Sequence, residues 1–229
     1  MNILKKIIIP FVLIIVLLYT ILSMYITNIA FQPKRNIFEE TPDLYSMSYT
    51  NVSFKSADSK DINLNGWWIE NEKNTGTIIW VHGLDSERSG GEGKLEMIKE
   101  IHNLGYSILT FDLRGHGNSS DAPLGLGIRE KNDIYGAINY LNKNLNINKI
   151  GLYGISYGGV AVLDAAANYK NESVEIVGIF SDTPYFSITE LLTKEVSDRT
   201  PIPHFIAKLL KFIPPIPATK DAGSIIRFI

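Results

Sequence analysis

The stretch LYGISYGGVA, residues 152–161, decides how the rest of this sequence is read. It begins as a strand, ends as a helix and sets Ser156 at the junction, with Gly154, Gly158 and Gly159 around it. A serine on so tight a turn takes strained dihedrals, and its flanking positions leave little room for Cβ atoms. The turn also lifts the hydroxyl to a helix start, where the dipole favours developing negative charge. Residues 154–158 thus satisfy G-x-S-x-G in the strand–turn–helix context that makes the motif informative.

Outward from this elbow, strand and helix patterns alternate. TGTIIWVHG (75–83), YSILTFD (106–112), NKIGLYGIS (148–156) and VEIVGIFSD (174–182) are apolar runs of strand length. Between them GKLEMIKEIHNLG (93–105), IREKNDIYGAINYLNKN (128–144) and GGVAVLDAAANY (158–169) carry helical spacing. YSMSYTNVSF (45–54) and DINLNGWWIE (61–70) alternate and predict an antiparallel hairpin ahead of these units. The pattern predicts an α/β fold, a mostly parallel sheet with helices on both faces. Ligand crevices of such sheets open at the carboxyl ends of the strands. There the sequence sets Gly83–Leu84, Asp112–Gly117, Ser156 and Asp182 on one rim.

Composition narrows the chemistry. The chain has no cysteine, which excludes disulfides, thiolate metal sites and a cysteine nucleophile. Its four histidines, His82, His102, His116 and His204, lack the spacing of a helical metal site, so no metal is expected. A formal net charge of −2 argues against a nucleic-acid partner. Neither a phosphate-binding nor a dinucleotide-binding glycine motif is present, and the elbow chemistry needs no cofactor.

The N-terminus is a separate matter. No charge interrupts residues 7–31, and the 20 residues from Ile7 to Ile26 would reach about 30 Å as a helix, enough to cross a bilayer. Lys5 and Lys6 precede this run as in a signal peptide, but it is long for such a segment and ITNIAF (26–31) lacks a small-x-small cleavage site. Residues 1–31 therefore read as an uncleaved single-pass membrane anchor, 32–43 as a linker and 44–229 as the globular domain. Lys5 and Lys6 nearly balance Lys34 and Arg35 under the positive-inside rule. The free N-terminus tips the expectation towards a domain outside the cytosol.

Three segments, VHGLDSE (81–87), FDLRGHGNS (111–119) and GISYGG (154–159), in this order and spacing, resemble the α/β-hydrolase superfamily. Within it they are similar to serine hydrolases grouped with dienelactone hydrolases and prolyl-peptidase-like or serine-aminopeptidase-like enzymes. LGLGIREKNDIYGAINYL (124–141) resembles the helix that follows the D-x-R-G-H-G-x-S loop there. The resemblance spans about residues 49–182. It implies Ser156 as nucleophile and the backbone N–H groups of Leu84 and Tyr157 as oxyanion hole. The implied reaction is hydrolysis of an ester, thioester or amide in a small acyl or peptide substrate, through an acyl-enzyme.

The superfamily's order is nucleophile, acid, then histidine. After Ser156 only His204 remains, inside PIPHFIAKLLKF (201–212), with Asp182 as the nearest candidate acid. An Asp182–His204 pair would be unconventional, and His204 reads more simply as a packed or solvent-facing helix residue. Residues 184–229 resemble a cap-like insert of proline-broken helices, with SIIRFI (224–229) as the one strand candidate. Its aromatics Tyr185, Phe186, Phe205 and Phe212 suggest an acyl pocket, a membrane-facing lid or plain packing. The expectation is a C-terminally truncated hydrolase lacking its last strands, with impaired or no turnover. The rival is an inactive membrane-tethered binding or scaffold protein.

Overall fold

The apolar runs become the strands of one sheet. The computed structural model describes residues 3–36, 39–73 and 75–209. In it β1 (Thr50–Lys55), β2 (Asn63–Ile69), β3 (Gly76–Val81), β4 (Tyr106–Phe111), β5 (Lys149–Ile155) and β6 (Glu175–Asp182) lie in the order β1-β2-β4-β3-β5-β6. β2 runs antiparallel to β1 and β4, whereas β4, β3, β5 and β6 are mutually parallel. The crossovers are α2 (Lys94–Asn103), α3 (Lys131–Leu145) and α4 (Tyr157–Asn168). This is the α/β architecture with a mostly parallel sheet that the alternation predicts.

Side-chain alternation along the strands assigns the two faces. Ile108 of β4 packs with Trp67, Trp80, Tyr153 and the α2 residues Leu95 and Ile98 in one buried cluster. Phe111, of opposite parity on β4, meets Phe54 edge-on at 5.4 Å, and Phe54 stacks on Tyr140 of α3. Helices therefore cover both faces. β6 closes the order, with Val177, Ile179 and Phe180 exposed along it.

Two local expectations change. Residues 45–49 are not strand: Pro42–Tyr45 form a 3₁₀ turn ended by Ser46 at φ 61°, because Pro42 fixes the turn's first residue and cannot donate to a ladder. The second crossover helix starts at Lys131 rather than near Ile128, since Glu130 spends its carboxylate on the N–H of Gly125 just before it. The strand expected at 224–229, and Phe212, fall outside the described residues.

The chain divides into two compact units. One is Pro33–Phe186, which holds the sheet. The other takes, among the described residues, 3–32 and 187–209: α1 (Ile3–Ala30), α5 (Ile188–Arg199) and α6 (His204–Leu209). Within α1 the segment Ile7–Ile26 is long and apolar enough to cross a membrane.

Candidate active site

β5 delivers the elbow. Ser156 follows it at φ 51° and ψ −108°, a strained conformation for a residue with a Cβ, and caps α4. The turn is held from both sides. Ser156 N–H donates to the Asp182 carbonyl at 2.8 Å, and Val160 N–H donates to the Ser156 carbonyl at 3.2 Å. Glycine is a steric requirement at two positions here. A Cβ on Gly158 would stand against the carbonyl oxygens of Val81 and His82, and one on Gly154 against the carbonyl of Gly158.

The loop after β3 closes over this turn. A Cβ built on Gly83 would lie 3.7 Å from the Cβ of Ser156, so Gly83–Leu84 and Ser156 are neighbours. Among the described residues the half-buried Leu84 forms no hydrogen bond through its N–H. Tyr157 opens α4, where the N–H groups of the first turn lack intrahelical acceptors. Ser156, Leu84 and Tyr157 thus come together. Asp182 joins them through its backbone, at the end of β6 opposite Ile155. His204 stands exposed at the start of α6, in the other unit. Among the described residues nothing hydrogen-bonds the Ser156 hydroxyl.

The two rim histidines are committed to the backbone. His82 Nδ1 lies 2.7 Å from the Gly83 carbonyl, and its Nε2 accepts from Leu113 N–H at 3.0 Å. His116 Nδ1 lies 2.9 Å from the Arg114 carbonyl, and its Nε2 accepts from Asp85 N–H at 3.2 Å. A carbonyl only accepts and an amide N–H only donates, so each ring is neutral with its proton on Nδ1. Burial, reinforced by the neighbouring His116, pushes His82 down to about 3, and burial lowers His116 as well. Both therefore serve as braces of the rim rather than as bases.

Ion pairs lie beneath the rim as well. Asp112, fully buried, accepts from the Arg88 guanidinium at 2.5 Å and from the backbone N–H groups of Arg88 and Asn118 at 2.7 and 2.8 Å. Arg114 binds the buried Asp133 at 2.8 Å and Asp58 at 2.8 Å. Hydrogen bonds from the guanidinium to both carboxylates keep it charged against the cost of its burial. Reading the sequence alone missed Arg88, Asp133 and Glu130, because no motif links residues so far apart in the chain. Glu130 lies directly under the elbow: its Oε1 accepts from the Tyr157 hydroxyl at 2.8 Å. Burial, aided by Asp133, pushes the Glu130 carboxyl above its ordinary range.

Residues 33–36, read from sequence as linker, are bonded into this region. Lys34 N–H donates to the Asp85 carboxylate at 2.9 Å, and the Asn36 amide donates to the Asp85 carbonyl at 2.6 Å. Arg35 donates to the carbonyls of His116, Gly117 and Ser119 and pairs with Asp121. Arg35→Ala is expected to speed amide hydrogen exchange across residues 113–120 by roughly 10-fold, the loss of one or two net hydrogen bonds. Unchanged exchange there would show that the loop holds itself.

The comparisons with known proteins agree with this fold. The sequence profile of the α/β hydrolase fold matches residues 76–192, half of the chain. The mouse lysophosphatidylserine lipase ABHD12 is 32% identical over 141 residues, 61% of this chain and 34% of its own length. The Saccharomyces cerevisiae membrane protein YNL320W is 26% identical over 157 residues, 67% of this chain and 51% of its own length. The chain therefore spans about a third to a half of the length of these curated relatives. Among solved structures, the Pyrococcus furiosus esterase Pf2001 superposes with a TM-score of 0.65 at 26% identity, over 79% of this chain and 66% of that one. With the elbow, the parallel sheet and the profile in agreement, the chain belongs to the α/β hydrolase fold family.

Proposed function

We propose that this protein is a membrane-anchored serine hydrolase whose Ser156 takes the acyl group of an ester, thioester or amide. The observation that carries the reading is the elbow: Ser156 at positive φ, at the N-terminus of α4, beside Gly83–Leu84. In this arrangement Ser156 Oγ attacks the acyl carbon, its proton passes to a base and the leaving group departs with a proton. The N–H groups of Leu84 and Tyr157 hold the negative oxygen of the tetrahedral intermediate. Water then releases the acid. An acyl substrate of lipid character fits best, because ABHD12 is named as a lipase and α1 carries a segment of bilayer-spanning length.

Neither rim histidine supplies that base. His82 and His116 are neutral and engaged at both ring nitrogens. Losing the base of a serine triad costs on the order of a millionfold in kcat. The second reading, an inactive membrane-tethered binding or scaffold protein, draws on the same observation. A fluorophosphonate probe separates the two. The hydrolase reading expects slow labelling of the full chain, mapped by mass spectrometry to Ser156 and lost in Ser156→Ala. A folded chain that takes no label at Ser156, even over long exposure, would favour the scaffold.

A further inference from the structure

The helices α1, α5 and α6 form one unit, and their packing fixes a depth. Ile26 is the last residue of the apolar segment of α1 and its buried end: it packs with Val196 of α5 and Ala207 of α6, flanked by Phe31 and Ile202. Arg199 of α5 donates to the Gln32 carbonyl just past α1, and its Nε bonds Glu195 at 2.6 Å. The charges facing inwards are thus neutralised within the unit. The rest of the segment is different. From Ile7 to Tyr25 its large apolar side chains lie exposed, as lipid-facing side chains must.

If Ile7–Ile26 spans the hydrocarbon, Ile26 lies at its boundary, since 20 residues rise about 30 Å. The exposed Tyr25 beside it suits an interfacial belt. Val196 and Ala207 belong to the same buried cluster as Ile26 and so lie close to its depth. On α6, Phe205 and Ile206 precede Ala207 by two residues and one, a rise of only about 3 Å, and they point roughly 160° and 100° away from it. Ala207 faces the helix cluster, whereas Phe205 is 68% exposed and Ile206 39%.

We infer that α5 and α6 lie on the membrane where α1 emerges, with Phe205 and Ile206 inserted among the lipids at headgroup depth. The inference rests on α1 spanning the bilayer. It turns the exposed apolar face of α6 into a lipid-binding surface continuous with the anchor. A second copy of the chain or another protein is the competing occupant.

The absence of cysteine makes the test direct. Single cysteines at Phe205→Cys, Ile206→Cys, Val16→Cys and Lys60→Cys, each in the full chain, carry an environment-sensitive fluorophore in phosphatidylcholine vesicles. Spin-labelled lipids then act as quenchers. Labels at 205 and 206 are expected to shift to the blue and to lose fluorescence mainly to spin labels near the headgroups. Position 16 should respond to labels near the midplane, and position 60, on the β1–β2 turn, records the label's response in the sheet unit. Quenching at 16 without quenching at 205 and 206 would leave α1 spanning and overturn the inference. A blue shift at 205 without lipid quenching would assign the face to protein and overturn it equally. No quenching at 16 would remove the anchor itself and the inference with it.

Discussion

Asp112→Ala is expected to destabilise the full chain by about 3–5 kcal/mol, the range for breaking a buried ion pair from one side. The carboxylate is fully buried and serves three partners at once: the Arg88 guanidinium and the backbone N–H groups of Arg88 and Asn118. Alanine leaves the guanidinium in a site where its side chain is 8% exposed, with the ring of Trp67 5.4 Å away. A cation–π contact of this kind returns only about 1 kcal/mol. The two stranded amides each add a desolvation cost. Removing the arginine as well should recover part of the loss, because Arg88→Met with Asp112→Ala replaces an orphaned charge by an apolar pair. Denaturant unfolding of the full chain in detergent measures both. A single-variant loss under about 1 kcal/mol, or a double variant no better than the single, would mean that Arg88 relaxes to solvent.

The second large effect is on pH dependence. His82 is neutral when folded and titrates at about 3, whereas an unfolded histidine titrates near 6.5. Between those values the unfolded chain binds a proton that the folded chain refuses, so this contribution to stability falls as pH falls, by ~1.4 kcal/mol per pH unit. From pH 6.5 to 4.5 that amounts to about 2 kcal/mol, the full slope being reached only below pH 6.5. His116 acts with the same sign. Glu87, Glu130 and Asp133 act against it: burial raises their folded pKa, so their neutral forms favour folding as pH falls. The comparison with His82→Asn isolates the one group. That variant is expected to start less stable near pH 7, because Leu113 N–H loses its acceptor, and then to lose less on acidification. Parallel stability profiles for the two chains would show that His82 is not the proton-refusing group.

These two sites share a location. Asp112, Arg88, His82 and His116 all brace the rim on which Gly83–Leu84 approaches Ser156. The left-handed conformation of Asp85, at φ 56°, is held by His116, Lys34 and Asn36 together. The rigidity falls on the loop that supplies the proposed oxyanion donor, and such donors work only when fixed before the charge develops.

Much of this was legible in the chain as written. The elbow around Ser156, the four parallel strands, the hairpin before them and the apolar N-terminal helix all follow from local signals: glycine placement, side-chain period and run length. Those signals act within a few residues, so one chain suffices to read them. They fail where a local rule is overridden by a single residue, as at Pro42, and wherever a partner lies far along the chain. Nothing in the neighbourhood of Arg88 announces Asp112, nor does the neighbourhood of Arg114 announce Asp133 or that of Tyr157 announce Glu130. The neutrality of His82 and His116 is likewise invisible in sequence, since it comes from the backbone groups that the folded loops present to each ring. Sequence by itself therefore determined the scaffold and the tight turn that sets Ser156 between β5 and α4. Only the tertiary structure decided which charges are buried in pairs and which histidines are spent, because pairing and desolvation depend on distances that exist only after the chain has packed.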